Sequence, residues 1–215
     1  MLMKNKNILH EQVEYYRARA QEYDRSISGA APVFEPAIHK LTQLGKFKRV
    51  LELACGTGFW TRHLLQISEH VTAADAAPEM LQIAREHAGD ERITYQQLDL
   101  FQWQPNETFD LIFFANWLSH VPPEALDDFL NKVRTSLKAG GYIALVDQHA
   151  PSEADSAIAK ENIYAVRPLE DGREFTIVKA FYNLHELEEK LTKLGFTVTS
   201  QKFSETFFFL SGTLK

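Results

Sequence analysis

Three acidic residues stand at or just after short apolar runs in the first half of the chain. Glu52 lies within the first run, Asp75 ends the second and Asp99 follows the third. A tight turn with glycines at positions 56 and 58 comes directly after the first run. If the runs are parallel strands, their carboxyl ends meet at one edge of a sheet, where α/β proteins bind ligands. We therefore expect one polar ligand to be held beside the glycine turn.

The glycine turn completes neither of two common nucleotide-binding motifs. Thr61 stands where a dinucleotide fingerprint has its third glycine, and the Gly-Lys-Ser/Thr end of a P-loop is absent. An adenosine ligand without a pyrophosphate group does not need the third glycine. In chain order, Glu52, Asp75 and Asp99 suit an ammonium group, two ribose hydroxyls and an adenine amino group. S-adenosylmethionine carries all of these groups, so these residues indicate it as the cofactor.

The region that positions these residues alternates apolar runs with amphipathic segments. The runs predict strands over residues 50–54, 71–75, 93–98, 109–115 and 142–147. The segments between them predict helices over residues 59–67, 78–87 and 123–137, the last of them closed by Gly140-Gly141. Alternation at this spacing favours right-handed βαβ units and an open, mostly parallel sheet.

The flanking regions add helices, a hairpin and a final strand pair. Helices are predicted over residues 9–23 and 33–44, with a Ser/Gly/Ala/Pro-rich hinge over residues 26–32. Residues 163–169 and 173–182 flank a hairpin signal, and a helix over 184–194 precedes strands over 196–203 and 206–214. We expect a single domain made of an N-terminal helical lid (1–45), a cofactor-binding core (46–149), a hairpin insertion (150–183) and a C-terminal helix and strand pair (184–215).

The turn of the predicted hairpin, Glu170-Asp171-Gly172, decides whether two basic residues meet. In a type I turn followed by a glycine bulge, Arg167 pairs near Phe175 and joins Lys179 on one face. A two-residue Asp-Gly turn would separate the two cations. A basic pair on an otherwise acidic chain would suit a small anion.

Composition limits the classes of function. The 215 residues are 45% hydrophobic and 24% charged, as in ordinary globular proteins. The net charge of −6 disfavours binding to nucleic acid, and no apolar run is long enough for a membrane span. Cys55, the only cysteine, is interpreted as a packed residue in a reducing compartment. We expect a cytoplasmic protein that binds neither nucleic acid nor membranes and holds no metal.

Over nearly its whole length the sequence resembles the class I S-adenosylmethionine-dependent methyltransferases. The matching segments are residues 50–58, 71–81, 97–101, 109–122 and 137–147. The glycine turn of that family usually reads E-x-G-x-G-x-G, and Ala54 stands at its first glycine. The resemblance implies a Rossmann-like α/β fold with a seven-stranded, mostly parallel sheet, an N-terminal helical lid and a β-hairpin insertion after the fifth strand. Residues 15–20, 22–24, 61–64, 113–122, 171–173 and 177–179 more closely resemble phosphonate O-methyltransferases of the dehydrophos type.

The resemblance also implies roles for individual residues. Tyr15, Arg19 and Tyr23, which recur on one helical ridge, would cover the cofactor. The full predicted cofactor-binding set is Tyr15, Arg19, Tyr23, Glu52, Ala54, Gly56, Gly58, Trp60, Asp75, Ala76, Met80, Asp99, Leu100 and Asn116. The predicted substrate-binding residues are His120, Arg167 and Lys179, and His120 is also the predicted catalytic residue.

The predicted function is methyl transfer to a small molecule, with an anionic phosphonate or carboxylate oxygen as the preferred acceptor. Such an oxygen needs no general base, so His120, Arg167 and Lys179 would orient it. A hydroxyl or amine acceptor would instead need His120 or a tyrosine as base. The alternatives are a macromolecular acceptor and a dinucleotide-dependent oxidoreductase. The loop Asn116-Trp117-Leu118-Ser119 lacks the N-P-P-Y-like sequence of methyltransferases that act on nucleic-acid amines.

Overall fold

The computed structural model describes the backbone of residues 2–149 and 163–215, and the side chains from residue 7 onward within those ranges. Residues 150–162, the first part of the predicted hairpin insertion, lie outside the described residues. The helices in the described ranges are α1 (Leu2–Ala18), α2 (Ala20–Gly29), α3 (Ala31–Thr42), α4 (Thr61–Leu64), α5 (Pro78–His87), α6 (Pro123–Thr135) and α7 (Leu184–Lys193), with a 3-10 helix at Leu118–His120. The strands are β1 (Phe47–Leu53), β2 (Ser68–Asp75), β3 (Ile93–Gln97), β4 (Phe109–Ala115), β5 (Leu137–Gln148), β6 (Tyr164–Pro168), β7 (Glu174–Val178), β8 (Phe196–Lys202) and β9 (Phe207–Leu214).

The main sheet of the described chain has seven strands in the order β3-β2-β1-β4-β5-β9-β8. Strands β1 to β5 are parallel, and β9 is antiparallel to both β5 and β8. The chain leaves β1 toward one edge of the sheet and later returns to add β4 on the other side. This reversal between β1 and β4 is the point at which open α/β sheets form a ligand crevice. The predicted Rossmann-like, mostly parallel sheet is confirmed.

Both faces of the central strands are buried, which explains why β4 is apolar along almost its whole length. Leu111 and Phe113 belong to the core that includes side chains of α3 and α4. Ile112 and Phe114 belong to the opposite core, formed with α6 and α7. A strand covered on both sides needs a continuous apolar sequence, because neither face reaches water. Burial of each side chain of this size stabilises the folded protein by roughly 1.5–3 kcal/mol.

The predicted helix over residues 9–23 is divided at Arg19. The Arg19 N–H donates to the Tyr15 carbonyl at 2.9 Å, and the Tyr23 N–H donates to the Arg19 carbonyl at 2.8 Å. Helical hydrogen bonding therefore continues across the junction, and the ridge of Tyr15, Arg19 and Tyr23 is kept. No helix in residues 2–149 and 163–215 combines the length and apolarity that a membrane crossing requires.

The predicted hinge over residues 26–32 is wrong. Helix α2 continues to Gly29, and Ala30 separates it from α3 while keeping right-handed helical angles. Pro32 lies in the first turn of α3, where the N–H that proline lacks has no helical partner in any case. The small and turn-forming residues that suggested a flexible linker are therefore compatible with nearly continuous helix.

Two boundaries in the core also differ from the prediction. Of the helix expected over residues 59–67, four residues, Thr61–Leu64, are helical. Gly140-Gly141 lies inside β5 rather than at the end of α6, which finishes at Thr135. The β4–β5 register shifts between Phe109 and Leu111, and Gly140 has a φ of +73° in this irregular stretch. The glycines therefore accommodate a bulge at the start of β5.

Strands β6 and β7 form a separate hairpin, and its register selects one of the two predicted turns. Arg167 lies opposite Phe175, the Leu169 N–H donates to the Arg173 carbonyl at 2.8 Å, and Gly172 has a φ of +86°. These features belong to the three-residue turn with a glycine bulge. One face of the hairpin packs against Tyr15 of α1. The hairpin and the N-terminal helices therefore form one cover over the carboxyl ends of the central strands.

Candidate active site

A cavity lies at the carboxyl ends of β1, β2 and β4, beneath α1 and α2. Its wall combines residues of the helical cover with residues that follow each strand: Gln12, Val13, Tyr16, Tyr23, Ala54, Gly56, Asp75, Ala76, Ala77, Met80, Asp99, Leu100, Phe101, Ala115, Asn116, Trp117 and His120.

Asp75 joins the glycine turn to the end of β2. Its Oδ2 accepts a hydrogen bond from the Gly56 N–H at 2.9 Å, and its Oδ1 accepts one from the Ala77 N–H at 2.9 Å. Burial raises the pKa of Asp75, while the backbone donors lower it by favouring the charged form. A carboxylate has about four acceptor positions, so Asp75 can accept further hydrogen bonds from a ligand in the cavity.

Two non-glycine residues on the wall have left-handed backbone conformations. Ala54 follows β1 and Asn116 follows β4, and each has a φ of 53°. For a residue with a Cβ this conformation costs roughly 1–2 kcal/mol, and such strain is concentrated at functional sites. Gly56 has a φ of +55°, and a Cβ at that position would lie 3.2 Å from Cε1 of Tyr23. The turn thus gives a wall of bare backbone that a ligand can approach closely.

The end of the cavity next to β3 is an apolar slot with one acid. Met80 is buried on α5, and the ring of Trp117 packs against Phe101 with centroids 5.2 Å apart. Asp99 accepts hydrogen bonds from the Phe101 N–H at 3.0 Å and from the Gln102 side chain at 2.6 Å. A flat aromatic ring that carries an amino group suits this combination of apolar walls and carboxylate.

S-adenosylmethionine fits the groups on the wall. The bare backbone at Gly56 permits close approach, Asp75 offers acceptors for hydroxyl groups, and the slot beside Asp99 suits an adenine ring. Gly56, Asp75 and Asp99 lie at the ends of β1, β2 and β3, which are neighbours in the sheet, so these three features follow one another along the cavity. The role of each residue in holding the cofactor remains a prediction.

Glu52 lies behind the wall rather than on it, although the sequence suggested an ammonium partner there. Its side chain is 2% exposed, and Oε2 accepts a hydrogen bond from the Thr61 hydroxyl at 2.6 Å. Burial raises the pKa of Glu52 to about 8, because a charged carboxylate is poorly solvated inside the protein. At neutral pH the buried group is thus mainly protonated, and the structure does not bring it to the cavity.

Gly58 and Trp60 also lie away from the wall. Trp60 packs in the core, with its ring centroid 5.5 Å from Phe34 and 5.3 Å from Phe113. Gly58 faces α5, and a Cβ there would lie 3.2 Å from the Ala84 Cβ. In this structure Gly58 lets the turn pack on α5, and Trp60 supports the turn from the core side.

The ridge of Tyr15, Arg19 and Tyr23 contributes one side chain to the wall. The Arg19 guanidinium lies 5.5 Å from the Tyr15 ring centre and 5.6 Å from the Tyr23 ring centre. Tyr23 lines the cavity, whereas Tyr15 is buried against the hairpin. Burial raises the pKa of Tyr23 to about 12, and a hydrogen bond to Asn116 acts in the opposite direction. Arg19 is thus held between two rings beside the cavity.

His120 is held on the wall by two segments that are distant in sequence. Its Nδ1 lies 2.8 Å from the carbonyl oxygen of Val178, at the end of β7. Its Nε2 lies 2.7 Å from the hydroxyl oxygen of Tyr16, on α1. The predicted catalytic residue therefore lies at the cavity, in a position that depends on both the hairpin and the N-terminal helix.

Gln12 connects the same three segments through both ends of its amide. Its Oε1 accepts a hydrogen bond from the Val178 N–H at 3.0 Å, and its Nε2 donates to the His120 carbonyl at 3.3 Å. The neighbouring Glu11 accepts a hydrogen bond from the Thr176 N–H of β7. Both residues therefore fasten α1 to the hairpin, but Gln12 also holds the backbone of His120.

Gln12→Met is expected to lower kcat about 10-fold or more and to change the affinity for S-adenosylhomocysteine by less than about threefold. Methionine matches the length of glutamine but removes two buried hydrogen bonds, each contributing roughly 0.5–1.5 kcal/mol. The His120 carbonyl then loses its link to α1. Steady-state kinetics and calorimetric titration measure the two quantities.

Glu11→Ala is the matched control for Gln12→Met. It removes a hydrogen bond between α1 and β7 but leaves the contacts of His120 in place. An equal loss of kcat in the two variants would show that Gln12 only fastens the helix.

The two predicted substrate cations are not on the cavity wall. Lys179 is 8% exposed, its Nζ donates to the Ser119 hydroxyl at 3.3 Å, and its charge lowers the pKa of Asp147, which burial raises. Burial raises the pKa values of Tyr15 and Tyr16, and the charge of Arg167, which lies beside α1, partly offsets this effect. Lys179 is thus engaged by the buried Asp147, whereas Arg167 lies next to the helix that covers the cavity.

Several wall residues are not among those predicted from the sequence: Gln12, Val13, Tyr16, Ala77, Phe101, Ala115 and Trp117. Gln12, Tyr16 and Tyr23 are separated by four and seven residues, which places them on one helical face. A glutamine within an apolar stripe is the local signal for this face. Phe101 and Trp117 follow strand ends, so their positions in the topology are the signal for them.

Comparisons with known proteins agree with this geometry. Residues 50–141 match a family model described as a methyltransferase domain. The DhpI-SAM-HEP complex is 36% identical in sequence, with a TM-score of 0.85 over 95% of this chain and 97% of DhpI. The DhpI-SAH complex is 37% identical, with a TM-score of 0.81 over 95% of this chain and 96% of that one.

A further relative, an uncharacterized methyltransferase of Anoxybacillus flavithermus, is 26% identical over 201 residues, which cover 88% of this chain and 91% of that protein. The predicted class I fold, the enzyme class and the cofactor S-adenosylmethionine are confirmed by these matches. The chain belongs to the S-adenosylmethionine-dependent methyltransferases.

Proposed function

We propose that this methyltransferase transfers the methyl group to an oxygen of a small phosphonate or carboxylate anion. The observation that supports it most is the cationic setting of the Tyr16–His120 end of the cavity. Burial raises the pKa of Tyr16, and the positive charges of Arg19 and Arg167, from different segments, both act against this rise. The chain as a whole carries a net charge of −6, so this local positive charge is not a consequence of overall composition. The similar protein DhpI forms a complex with SAM and HEP.

In this proposal the cofactor lies along the wall from β3 to β4. Asp99 accepts a hydrogen bond from the adenine amino group, while Ala76, Met80 and Leu100 enclose the ring. Asp75 accepts hydrogen bonds from the ribose hydroxyls. Two further residues contact the methionine part, namely Asn116 and Tyr23, and Arg19 pairs with its carboxylate.

S-adenosylmethionine supplies, when bound, an electrophilic methyl group on a positively charged sulfur. An anionic oxygen needs no proton removed, so the chain has to align the acceptor and exclude water. Helix α1, fastened to β7 by Glu11 and Gln12, covers the cavity. Correct alignment of two reactants can lower the activation free energy by roughly 7–11 kcal/mol. His120, on the wall, then orients the anion, the charge of Arg167 beside α1 attracts it, and Lys179 supports the loop of His120 through Ser119.

A panel of acceptors tests this proposal. Release of S-adenosylhomocysteine is measured with small phosphonates, carboxylates, phenols and amines. We expect kcat/KM to be at least about 10-fold higher for a phosphonate or carboxylate than for the amines and phenols, an energetic preference of about 1.4 kcal/mol. Turnover of amines or phenols without turnover of any anion would contradict the proposal.

Arg167→Gln is expected to raise KM for the preferred anion by about 3- to 10-fold, because it removes a nearby positive charge that attracts the anion without removing a direct contact. The affinity for S-adenosylhomocysteine should change little, since in this proposal Arg167 acts on the acceptor and not on the cofactor. Arg173→Gln is the matched control: Arg173 lies on the same hairpin, is exposed and pairs with Asp171 at 2.7 Å. If both variants gave the same KM as the wild type, Arg167 would have no part in anion binding.

A further inference from the structure

The hydrogen bonds of His120 determine which of its nitrogens carries the proton. The Val178 carbonyl can only accept a hydrogen bond, so Nδ1, 2.8 Å away, must donate to it. In neutral imidazole the other nitrogen, Nε2, then has a lone pair and no proton. The hydroxyl of Tyr16, 2.7 Å from Nε2, is therefore the donor in that contact. The oxygen of Tyr16 keeps its lone pairs, which can accept a proton from a group bound in the cavity.

We propose that Tyr16 and His120 form a proton relay that gives the site a second activity, O-methylation of a neutral hydroxyl acceptor such as a phenol. The proposal rests on the methyltransferase family established above and does not depend on the anionic acceptor. Both side chains line the cavity, so the acceptor hydroxyl can reach the Tyr16 oxygen. Tyr16 thereby becomes a catalytic residue, and Gln12 and Val178 become positioning residues that act through His120.

The relay accounts for every proton and electron pair. The acceptor O–H proton passes to the Tyr16 oxygen while the proton of Tyr16 passes to Nε2 of His120. The acceptor oxygen uses its electron pair to form the new bond to the methyl carbon, and the electron pair of the broken carbon–sulfur bond stays on sulfur. The imidazolium of His120 later returns its extra proton to water, which restores the starting state.

The groups around the pair act on this transfer in both directions. The Val178 carbonyl already accepts the Nδ1 proton and stabilises the positive imidazolium. Burial raises the pKa of Tyr16 well above its usual value of 10, which disfavours a tyrosinate, so Tyr16 must gain one proton as it gives up the other. Tyr15 and Tyr23 also raise the pKa of Tyr16, whereas the cations Arg19 and Arg167 lower it and oppose a positive charge on His120. On the other side of the His120 loop, Ser119 contacts Lys179 and Asp147.

Substitution of Tyr16 by phenylalanine tests the relay with two acceptors, methylphosphonate and p-cresol. Phenylalanine keeps the ring but removes the hydroxyl. We expect the ratio of p-cresol turnover to methylphosphonate turnover to fall about 100-fold in Tyr16→Phe, as for loss of a general base. Tyr95→Phe is the control, because the Tyr95 hydroxyl bonds to carbonyls of Ala84 and Ala88 outside the cavity. An unchanged ratio in Tyr16→Phe would overturn the relay.

A measurement without any cofactor provides a second readout. Nitrogen-15 NMR of the wild-type protein should show His120 as the Nδ1–H tautomer, with its resonance assigned by its loss in His120→Gln. Tyr16→Phe should shift the Nε2 resonance, because that nitrogen loses its hydrogen-bond donor. An Nε2–H tautomer in the wild type would overturn the relay even if Tyr16→Phe failed to fold.

The two acceptors also separate this inference from the proposed function. Turnover of methylphosphonate with none of p-cresol would overturn the relay and leave the anionic acceptor standing. Turnover of p-cresol with none of any anion would support the relay and overturn the proposed anionic preference.

Discussion

Asp75→Ala is expected to weaken binding of S-adenosylhomocysteine by at least about 100-fold. A carboxylate that accepts two hydroxyl groups forms two charge-assisted hydrogen bonds, each contributing roughly 1.5–3 kcal/mol. The substitution also removes the acceptor for the N–H groups of Gly56 and Ala77, so the glycine turn loses its link to β2. Isothermal titration calorimetry gives the affinity directly.

Asp110→Ala is the matched control for Asp75→Ala. Asp110 accepts a hydrogen bond from the Arg49 N–H at 2.8 Å and pairs with Lys138 at 2.6 Å, so it too joins neighbouring strands. It lies at the beginning of β4, so it is at the opposite end of the strands from the cavity. Cofactor affinity should remain at the wild-type value in Asp110→Ala. If the wild type, Asp75→Ala and Asp110→Ala bound S-adenosylhomocysteine with equal affinity, Asp75 would not be a cofactor-binding residue.

Glu52→Gln is expected to change how stability depends on pH. The folded-state pKa of Glu52, about 8, lies above its ordinary value of 4.5. Between these values the unfolded chain loses the Glu52 proton while the folded protein keeps it, so this group makes the free energy of unfolding fall as pH rises. This stabilising contribution is fully present below about pH 4.5 and decreases as the pH rises from about 4.5 to about 8. Above about pH 8 it no longer changes. One pKa unit corresponds to 1.36 kcal/mol, so the total is on the order of 3–5 kcal/mol.

Glutamine at position 52 can still accept the Thr61 hydroxyl but does not ionise. Glu52→Gln should therefore match the wild type near pH 4.5 and exceed its free energy of unfolding by about 3–5 kcal/mol near pH 8.5. Urea denaturation at a series of pH values measures this difference. Glu107→Gln, on an exposed pair with Arg49, serves as control and should show less than about 1 kcal/mol across the same range. Parallel stability curves for Glu52→Gln and the wild type would rule out a buried, protonated Glu52.

The sequence predicts those parts of the fold that local pattern determines. Helix α5 matches its predicted bounds, because Pro78 begins it and the apolar spacing continues to its end. Asp75 ends β2 and Asp99 follows β3. Both reach the cavity because the carboxyl ends of parallel strands lie at one end of the sheet, which the topology alone implies. The hinge over residues 26–32 is wrong because turn-forming composition does not exclude a helix when proline occupies the first turn.

The contacts that complete the site are long-range, and local pattern does not contain them. Tyr16 and His120 are 104 positions apart, and Gln12 and Val178 are 166 positions apart. The packing of the glycine turn against the core likewise decides whether the Glu52 side chain points toward the ligand or toward Thr61. Such facts follow from three-dimensional packing, in which a buried polar group must find a partner.

A crystal structure of the protein with S-adenosylhomocysteine tests the central claim most directly. We expect the ligand in the cavity beneath α1, with its ribose hydroxyls within about 3.2 Å of the Asp75 carboxylate and its adenine amino group at Asp99. A ligand bound elsewhere, or bound in the cavity with both carboxylates pointing away from it, would show that this cavity does not hold the cofactor in the proposed way.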